Sequence, residues 1–342
     1  MNDDRVHMTL DAVRAYARAT LARVGLAPAH VAAVAETIVA GERDGCGAHG
    51  LYRLLVAAHS VACGVVVPDA VPVLLEPRAG GVVRVDGRGG FAQLAFDTGR
   101  DALVDAARAN GIAALAITNV VHFAALWPEV EALVDRGLVA LAVTANHAWV
   151  APAGGTRPVF GTNPIAFGWP RAGGVPFVFD FATSAVARGE IELHRRAGTP
   201  VPADWGHAPD GGDTTDPAEV LAGAMRTFGG HKGSALALMV ELLAGPLLGD
   251  LTSAESIAWD AGRKGSPLGG ELIVALDPAG FLGAGAAEQM ARAESVFAAI
   301  EGQGARVPGA RRHALRPVSE SDGVWVSRAL LDDIDRTTGG TA

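Results

Sequence analysis

Apolar residues in the first sixty positions recur at helical spacing. Thr9 is placed to cap a helix whose Leu10, Val13, Ala17 and Leu21 fall near one face. Pro28 opens a second helix carrying Val31, Val34 and Ile38, and Leu51 to Ala62 reads as a third. The stretch from Thr9 to Ala62 therefore predicts a helical layer. The period then shortens. Val71 to Val85 holds short β-like runs broken by the turn Arg78-Ala79-Gly80-Gly81. Val82–Val85 reads as a strand, Ala92–Asn110 as a helix, Ile112–Thr118 as an apolar strand, Pro128–Arg136 as a helix and Val139–Thr144 as a strand. Such alternation predicts an α/β fold with a largely buried sheet and crossover helices. Phe177–Asp180 and Leu272–Leu276 look like later strands, and Ser234–Ala244 like an apolar helix entered from a glycine-rich loop. Pro202 to Pro217 is the one long polar loop and is expected to be a surface excursion.

Length and charge narrow the classes. A chain of 342 residues, 49% hydrophobic and 19% charged, can bury a sizeable core in two domains or one large one. A net charge of -9 with no basic run excludes a nucleic-acid surface. Cys46 and Cys63 form neither a disulfide framework nor a metal-ligand spacing, and they suit a reducing cytoplasm. Met1 to Arg5 lacks the basic start and apolar core of a signal peptide, and no apolar run reaches membrane-spanning length. The ten histidines show no ligand spacing, so no metal is expected.

Candidate chemistry begins at Glu42 to Leu54. His49 stands four residues ahead of Arg53, just past an amphipathic helix. Imidazole can hand over a proton near neutral pH, and guanidinium fits a carboxylate with two parallel hydrogen bonds. That pairing suits reduction of a small α-keto or α-imino acid; a helix end with one surface His and one ion-paired Arg is the alternative. Gly87-Arg88-Gly89-Gly90-Phe91-Ala92 matches G-x-G-x-x-A between strand and helix. The following strand ends in Thr118-Asn119-Val120-Val121-His122, with no acidic residue for a ribose, so we read the match as a tight turn.

Further segments concentrate polar groups in apolar surroundings. His122 follows a buried strand, where the loops of an α/β sheet meet ligands, though a hydrogen-bonded core histidine fits equally. Gly161-Thr162-Asn163-Pro164 is a turn offering two small hydrogen-bonding side chains. Asp180 at a strand end could orient His49, hold a ribose, or cap the helix that follows; Glu190 is the second candidate for the orienting carboxylate. Phe228 to Ser234, with His231 and Lys232, is a glycine-rich phosphate-suited loop without Walker spacing. Arg306, Arg311 and Arg312 gather three guanidinium groups that suit an extra phosphate, or form a solvated basic turn.

Taken in this order, these segments resemble the malate/L-lactate dehydrogenase-like NAD(P)-dependent oxidoreductases, the group lacking an ordinary Rossmann domain. The resemblance rests on Ala48-His49-Gly50, Asn119 to Phe123, Gly161 to Pro164, Asp180 to Ser184 and Gly230 to Gly233, and runs over nearly the whole chain. Glu42 to Cys46, Ala187 to Glu190, Phe228 to Leu236 and Gly304 to Arg312 are similar to the Δ1-piperideine-2-carboxylate/Δ1-pyrroline-2-carboxylate reductase branch. The resemblance implies a homodimer. It implies a mixed-sheet NADPH-binding domain, residues 76–289, packed on a helical layer of residues 1–75 joined by 290–342. The implied reaction is hydride transfer to the C=N carbon of a cyclic imino acid, giving the L-amino acid.

In that scheme His49 is proton donor or relay, with Asp180 and Glu190 as supporting carboxylates. Arg53 grips the substrate carboxylate, and Thr162 and Ala48 flank the substrate. His122, Phe123, Ala124, Ala125, Leu126, Asp180, Phe181, Ala182, His231, Lys232, Arg306, Arg311 and Arg312 line NADPH, with NADH the lesser choice. Ala48 departs from the serine the family places there, so a hydrogen bond is missing beside His49. Two alternatives stand: a 2-hydroxy acid dehydrogenase acting on a malate, lactate or ureidoglycolate type of substrate, or a cofactor-binding homologue without redox turnover.

Overall fold

The computed structural model describes residues 4–340, so the first three residues of the N-terminal stretch lie outside it. Three helices open the chain, α1 (Leu10–Arg23), α2 (Pro28–Arg43) and α3 (Arg53–Ala62). Thr9 caps α1 by accepting from the Ala12 N–H at 3.1 Å, and Pro28 starts α2 where its missing N–H costs nothing. Their apolar faces bury Val13, Ala17, Leu21, Val34 and Ile38 in one cluster with Leu51 and Leu54. Helix α3 begins two residues later than the hydrophobic pattern suggests, because Gly47–His49 forms a separate 3₁₀ turn.

The C-terminus closes on this layer. Strand β1 (Arg5–Met8) pairs antiparallel with the last strand, Val324–Ser327, and the final helix (Arg328–Thr338) adds Ile334 to the cluster. The Tyr16 hydroxyl donates to Asp335 at 3.0 Å across that contact.

The sheet is mixed. Its strands in chain order are β2 (Val73–Ala79), β3 (Val82–Asp86), β4 (Ile112–Val121), β5 (Val139–Thr144), β6 (Ile165–Trp169) and β7 (Phe177–Phe181). A seventh, Leu268–Leu276, inserts between β4 and β5 and is antiparallel to both. Only β3 and β4 are parallel, joined through α4 (Ala92–Asn110). The expected strand–helix alternation thus yields a single parallel crossover: α5 (Trp127–Val134) links β4 to a strand that is not its neighbour. Val85, Phe96, Leu103, Leu115, Ile117, Val130, Leu133 and Ile273 form the core between sheet and helices. One pair of short strands completes the set: β8 (Gly206–His207) pairs with β9 (Ala224–Met225). The expected surface excursion from Pro202 to Pro217 is mostly exposed, with Gly206 of β8, Thr214 and Pro217 buried.

In the following order come α6 (Arg188–Ala197), α7 (Pro217–Ala222), α8 (His231–Ala244), α9 (Ser253–Asp260), strand β10 (Leu268–Leu276), α10 (Pro278–Leu282), α11 (Ala286–Glu301), α12 (Ala310–Asp322), strand β11 (Val324–Ser327) and α13 (Arg328–Thr338). Helix α11 lies against the β6–β7 end of the sheet, where Phe297 meets Phe177 at 5.7 Å and Arg171 covers the Phe297 ring at 4.3 Å. Among the described residues no helix is long and apolar enough to cross a membrane.

One buried carboxylate ties three helices together. Asp44, fully buried at the end of α2, accepts from Arg43 at 2.8 Å, from Arg316 of α12 at 2.8 and 2.6 Å, and from the Trp127 indole of α5 at 3.1 Å. Burial by itself would raise its pKa; the hydrogen bonds from Arg316 and Arg43 overcome that and hold it below the ordinary carboxylate value. Arg316→Met removes one partner from a buried charge and should cost roughly 3 kcal/mol in denaturant unfolding. A depressed folded pKa means this stabilisation is complete above about pH 4 and fades as acid carries the protein through the lowered value. The gap between wild type and Arg316→Met should therefore shrink in acid, and a gap that widens there would contradict the assignment.

Candidate active site

His49 and Arg53 face each other. The 3₁₀ turn Gly47–His49 drops the imidazole in front of the first residue of α3, and Arg53 Nη2 donates to His49 Nδ1 at 3.3 Å. A guanidinium can only donate, so Nδ1 accepts, and the neutral ring carries its proton on Nε2. The His49 ring also meets the Trp127 ring edge-on at 5.6 Å. Burial pushes its pKa down to about 3, helped by Arg53 and His122.

Arg53 is a half-buried cation. Among the described residues no carboxylate pairs with it, and its Nε is buried with no hydrogen-bond partner. Burial lowers its pKa to about 10, still far above neutrality, so it remains charged. Ala48 is exposed beside the pair, and a side chain at Gly47 would meet open space.

His122, at the end of β4, belongs to the same neighbourhood: burial, then the Arg53 charge, lower its pKa to about 4. Asn119 just ahead adopts φ +54°, a left-handed conformation that asparagine tolerates better than most residues. Val120 and Val121 beyond it still pair with Gly269 and Leu268, and His122 follows them, buried. The side chains of Phe123, Ala125 and Leu126 are packed in the core, with Phe123 against Phe91 at 4.7 Å. Ala124 is half-buried. What this segment offers a ligand is chiefly backbone, and the Leu126 N–H is already taken.

Asp180 takes it. Its carboxylate accepts from the Leu126 and Trp127 N–H groups at 2.8 and 3.1 Å, capping α5 from across the sheet. Burial raises its pKa to about 6 against those hydrogen bonds. Glu190 is exposed in the first turn of α6. The expectation that either carboxylate orients His49 is corrected: the group hydrogen-bonded to His49 Nδ1 is Arg53. Asp180 instead sets Trp127, the ring that His49 packs on. The alternative of a cap was legible, but for the wrong helix, because α5 lies nearby only in three dimensions.

The remaining segments are laced together. The Thr162 carbonyl accepts from the Thr183 N–H at 2.8 Å and its hydroxyl at 3.1 Å, and the Phe228 N–H reaches the Thr183 carbonyl. Asn163, fully buried at φ +34°, donates to Glu241 at 2.8 Å, and Ser253 donates to the same carboxylate at 2.7 Å. Thr162 is half-buried on this fixed turn. Phe181 is exposed, stacked on Phe179 at 5.1 Å and edge-on to Phe228 at 5.7 Å, with Ala182 half-buried beside it. Gly229 and Gly230 take φ +55° and +60°, leaving open space before the start of α8, where His231 and Lys232 are exposed.

The three arginines separate. Arg306 and Arg311 are exposed. Arg312 is buried, donates to the Val178 carbonyl at 2.9 Å and lies over the Trp127 ring at 5.0 Å. Its expected part in holding a ligand is corrected: the guanidinium is bound to the β7 edge and the indole. The glycine turn after β3 is likewise closed, since the Gly87 and Gly89 N–H groups bond to the Thr118 and Asn119 carbonyls at 2.8 Å.

Trp127, Asp44, Glu129 and Glu271 escaped the reading of the sequence. A signal existed for the last: Glu271 is the lone charge in the apolar run Leu268-Gly-Gly-Glu-Leu-Ile-Val-Ala-Leu.

A mixed sheet with one parallel crossover, its glycine turn closed to phosphates, and a half-buried His–Arg pair at its margin define an α/β oxidoreductase built without a Rossmann domain. The sequence comparisons agree. Residues 8–335 match the malate/L-lactate dehydrogenase family, and the chain belongs to that family. The Δ1-pyrroline-2-carboxylate/Δ1-piperideine-2-carboxylate reductase of Pseudomonas aeruginosa is 59% identical over 325 residues, 95% of this chain and 97% of that protein. A Δ1-pyrroline-2-carboxylate reductase of Pseudomonas fluorescens is 55% identical over 96% of this chain and 98% of its own. The crystal structure of Δ1-piperideine-2-carboxylate reductase from Pseudomonas syringae pathovar tomato superposes with TM-score 0.92 at 40% identity, covering 97% of this chain and 99% of that one.

Proposed function

We propose that this protein reduces a cyclic imino acid of the Δ1-pyrroline-2-carboxylate or Δ1-piperideine-2-carboxylate type to the L-amino acid, using NADPH. The observation that carries the reading is Arg53, a half-buried guanidinium with no protein carboxylate and a buried, unpartnered Nε. An uncompensated buried charge is costly, and a substrate carboxylate supplies the missing anion through the guanidinium fork. The relatives' names point to the same substrate class.

The residues present fit a nicotinamide dinucleotide. The open space at Gly229 and Gly230, the start of the fourteen-residue helix α8, and the exposed Lys232 and His231 suit phosphate. Exposed Arg306 and Arg311 suit the additional phosphate of NADPH, and Phe181 offers an aromatic face. When bound, the reduced nicotinamide supplies the hydride received by the C=N carbon. The chain's own part is binding and proton handling. Arg53 fixes the carboxylate, and Thr162 borders the substrate. Because Arg53 holds Nδ1 as an acceptor, neutral His49 carries its proton on Nε2 and acts as a relay, giving that proton to the substrate as Nδ1 takes up another. Trp127, anchored by Asp44 and capped into place by Asp180, keeps the imidazole from turning.

Two further readings accompany this one. The α8 side chains Leu238, Met239 and Leu242 are exposed together, an apolar face suited to a second copy in a homodimer; a monomer in sedimentation would overturn that. Cys46 and Cys63 are free and half-buried, in keeping with the cytoplasm.

Nicotinamide absorbance with cyclic imino acids, pyruvate and malate tests the main reading. Arg53→Lys keeps the charge and loses the fork, so KM for the imino acid should rise roughly 10- to 100-fold, matching about 1.5–3 kcal/mol for charged hydrogen bonds. His49→Gln should abolish ketone reduction and lower imine reduction by roughly 10²-fold, since an imine nitrogen can arrive already protonated. Ala48→Ser restores a hydroxyl beside His49 and should raise imine turnover two- to tenfold, in line with about 0.5–1.5 kcal/mol. Turnover of open-chain keto acids alone would overturn the substrate class in favour of a 2-hydroxy acid dehydrogenase. Binding of NADPH without oxidation would favour a non-redox protein.

Replacing Arg306 and Arg311 by serine should weaken NADPH at least tenfold more than NADH. Equal loss for the two cofactors would remove these arginines from the extra phosphate.

A further inference from the structure

Beneath the His49–Arg53 pair lies a second cluster that the mechanism above does not use. Glu271 sits in the central strand β10, opposite Ile117 of β4 and Thr144 of β5, and is fully buried. Glu129 of α5 and His122 are buried beside it, and one side-chain atom of each lies within 4.8 Å of the others. His122 Nε2 stands 3.8 Å from Glu271 Oε2. Both Glu271 oxygens, Glu129 Oε2 and His122 Nε2 are buried, and none has a hydrogen-bond partner.

Two carboxyl groups facing each other away from water cannot both ionise. Of the charges around them, Asp97 on α4 and Asp180 on β7 add to the repulsion felt by Glu129. After burial, the Arg53 charge on α3 disfavours protonation of His122, and His122 in turn disfavours that of His49. The arrangement that satisfies these groups keeps Glu129 protonated, its O–H donating to Glu271. The nearest acceptor for His122 Nε2–H is then Glu271 Oε2. That leaves His122 Nδ1 as an acceptor.

The geometry points to Glu271 as a positioning residue for the reaction: together with Glu129 it fixes the tautomer and orientation of His122. The inference rests on the reductase reading only for its kinetic part; the tautomer of His122 is a property of the protein alone. Burial raises both carboxyls, Glu271 to about 7. The acceptor state of His122 is therefore complete above that pH and is lost below it, as Glu271 takes up a proton and becomes a donor to Nε2.

Glu271→Gln tests this, because an amide of the same size donates where the carboxylate accepted. Histidine-selective ¹⁵N NMR at pH 8, with the His122 signal identified by its loss in His122→Gln, should show the Nε2–H tautomer in wild type and the Nδ1–H tautomer in Glu271→Gln. In kinetics, kcat/KM of wild type should rise with pH through about 7. Glu271→Gln should lose that limb and fall at least tenfold at pH 8, with Glu271→Asp restoring part of both. A packing role predicts a lower melting temperature for Glu271→Gln at pH 8. A positioning carboxylate predicts one no lower, since its ionisation costs stability as pH rises toward and past 7. An unchanged His122 tautomer would overturn the proposal, whatever the activity, and so would a stoichiometric divalent cation in the purified protein that Glu271→Gln loses. Wild type inactive on every imino acid, with the tautomer switch intact, would count against the reductase reading and leave Glu271 as the residue that sets His122.

Discussion

A half-buried guanidinium without a protein counter-ion is the constraint around which this molecule is arranged. Arg53 keeps its charge, bonds to His49, and depresses the protonation of both His49 and His122. Leaving such a charge unpaired costs several kcal/mol, a cost that the rest of the fold must outweigh. The helical layer does so by burying a continuous apolar face from α1 to α3 and the last helix. In the proposed reading, a bound anion supplies the counter-charge that Arg53 lacks.

Indirect support surrounds the pair. His49 leans on Trp127, and three separate interactions fix that indole: Asp44 accepts its Nε1–H, Asp180 accepts its backbone N–H, and Arg312 covers its face. Each partner comes from a different part of the chain. Two carboxylates that sequence logic places next to a catalytic histidine thus act one step removed, or, for Glu190, at the surface. The same economy explains Arg312, which closes the β7 edge and leaves Arg306 and Arg311 exposed.

The family relationship and the geometry meet at one point of difference. Where the resembled family carries a serine, Ala48 puts a methyl group at the mouth of the cleft, with open space at Gly47. The His49 tautomer does not depend on that hydroxyl here, because Arg53 already determines it. A missing hydrogen bond is therefore compatible with a working donor.

The helices α1, α2 and α4, the strand β5 and the turn at Gly161–Pro164 were legible because their information is local: spacing, caps, and residues that tolerate a positive φ. His49 and Arg53 were legible for the same reason, being one helical turn apart. The lone charge in an apolar strand, Glu271, was a local signal without a local meaning. Its partners are Glu129 and His122, each more than a hundred residues away. The insertion of β10 between β4 and β5, the closure of β1 on β11, and the choice of Arg53 over Asp180 as the neighbour of His49 all belong to the tertiary structure. Sheet order and buried charge pairing are settled by which distant surfaces exclude water together, and no window of sequence contains that.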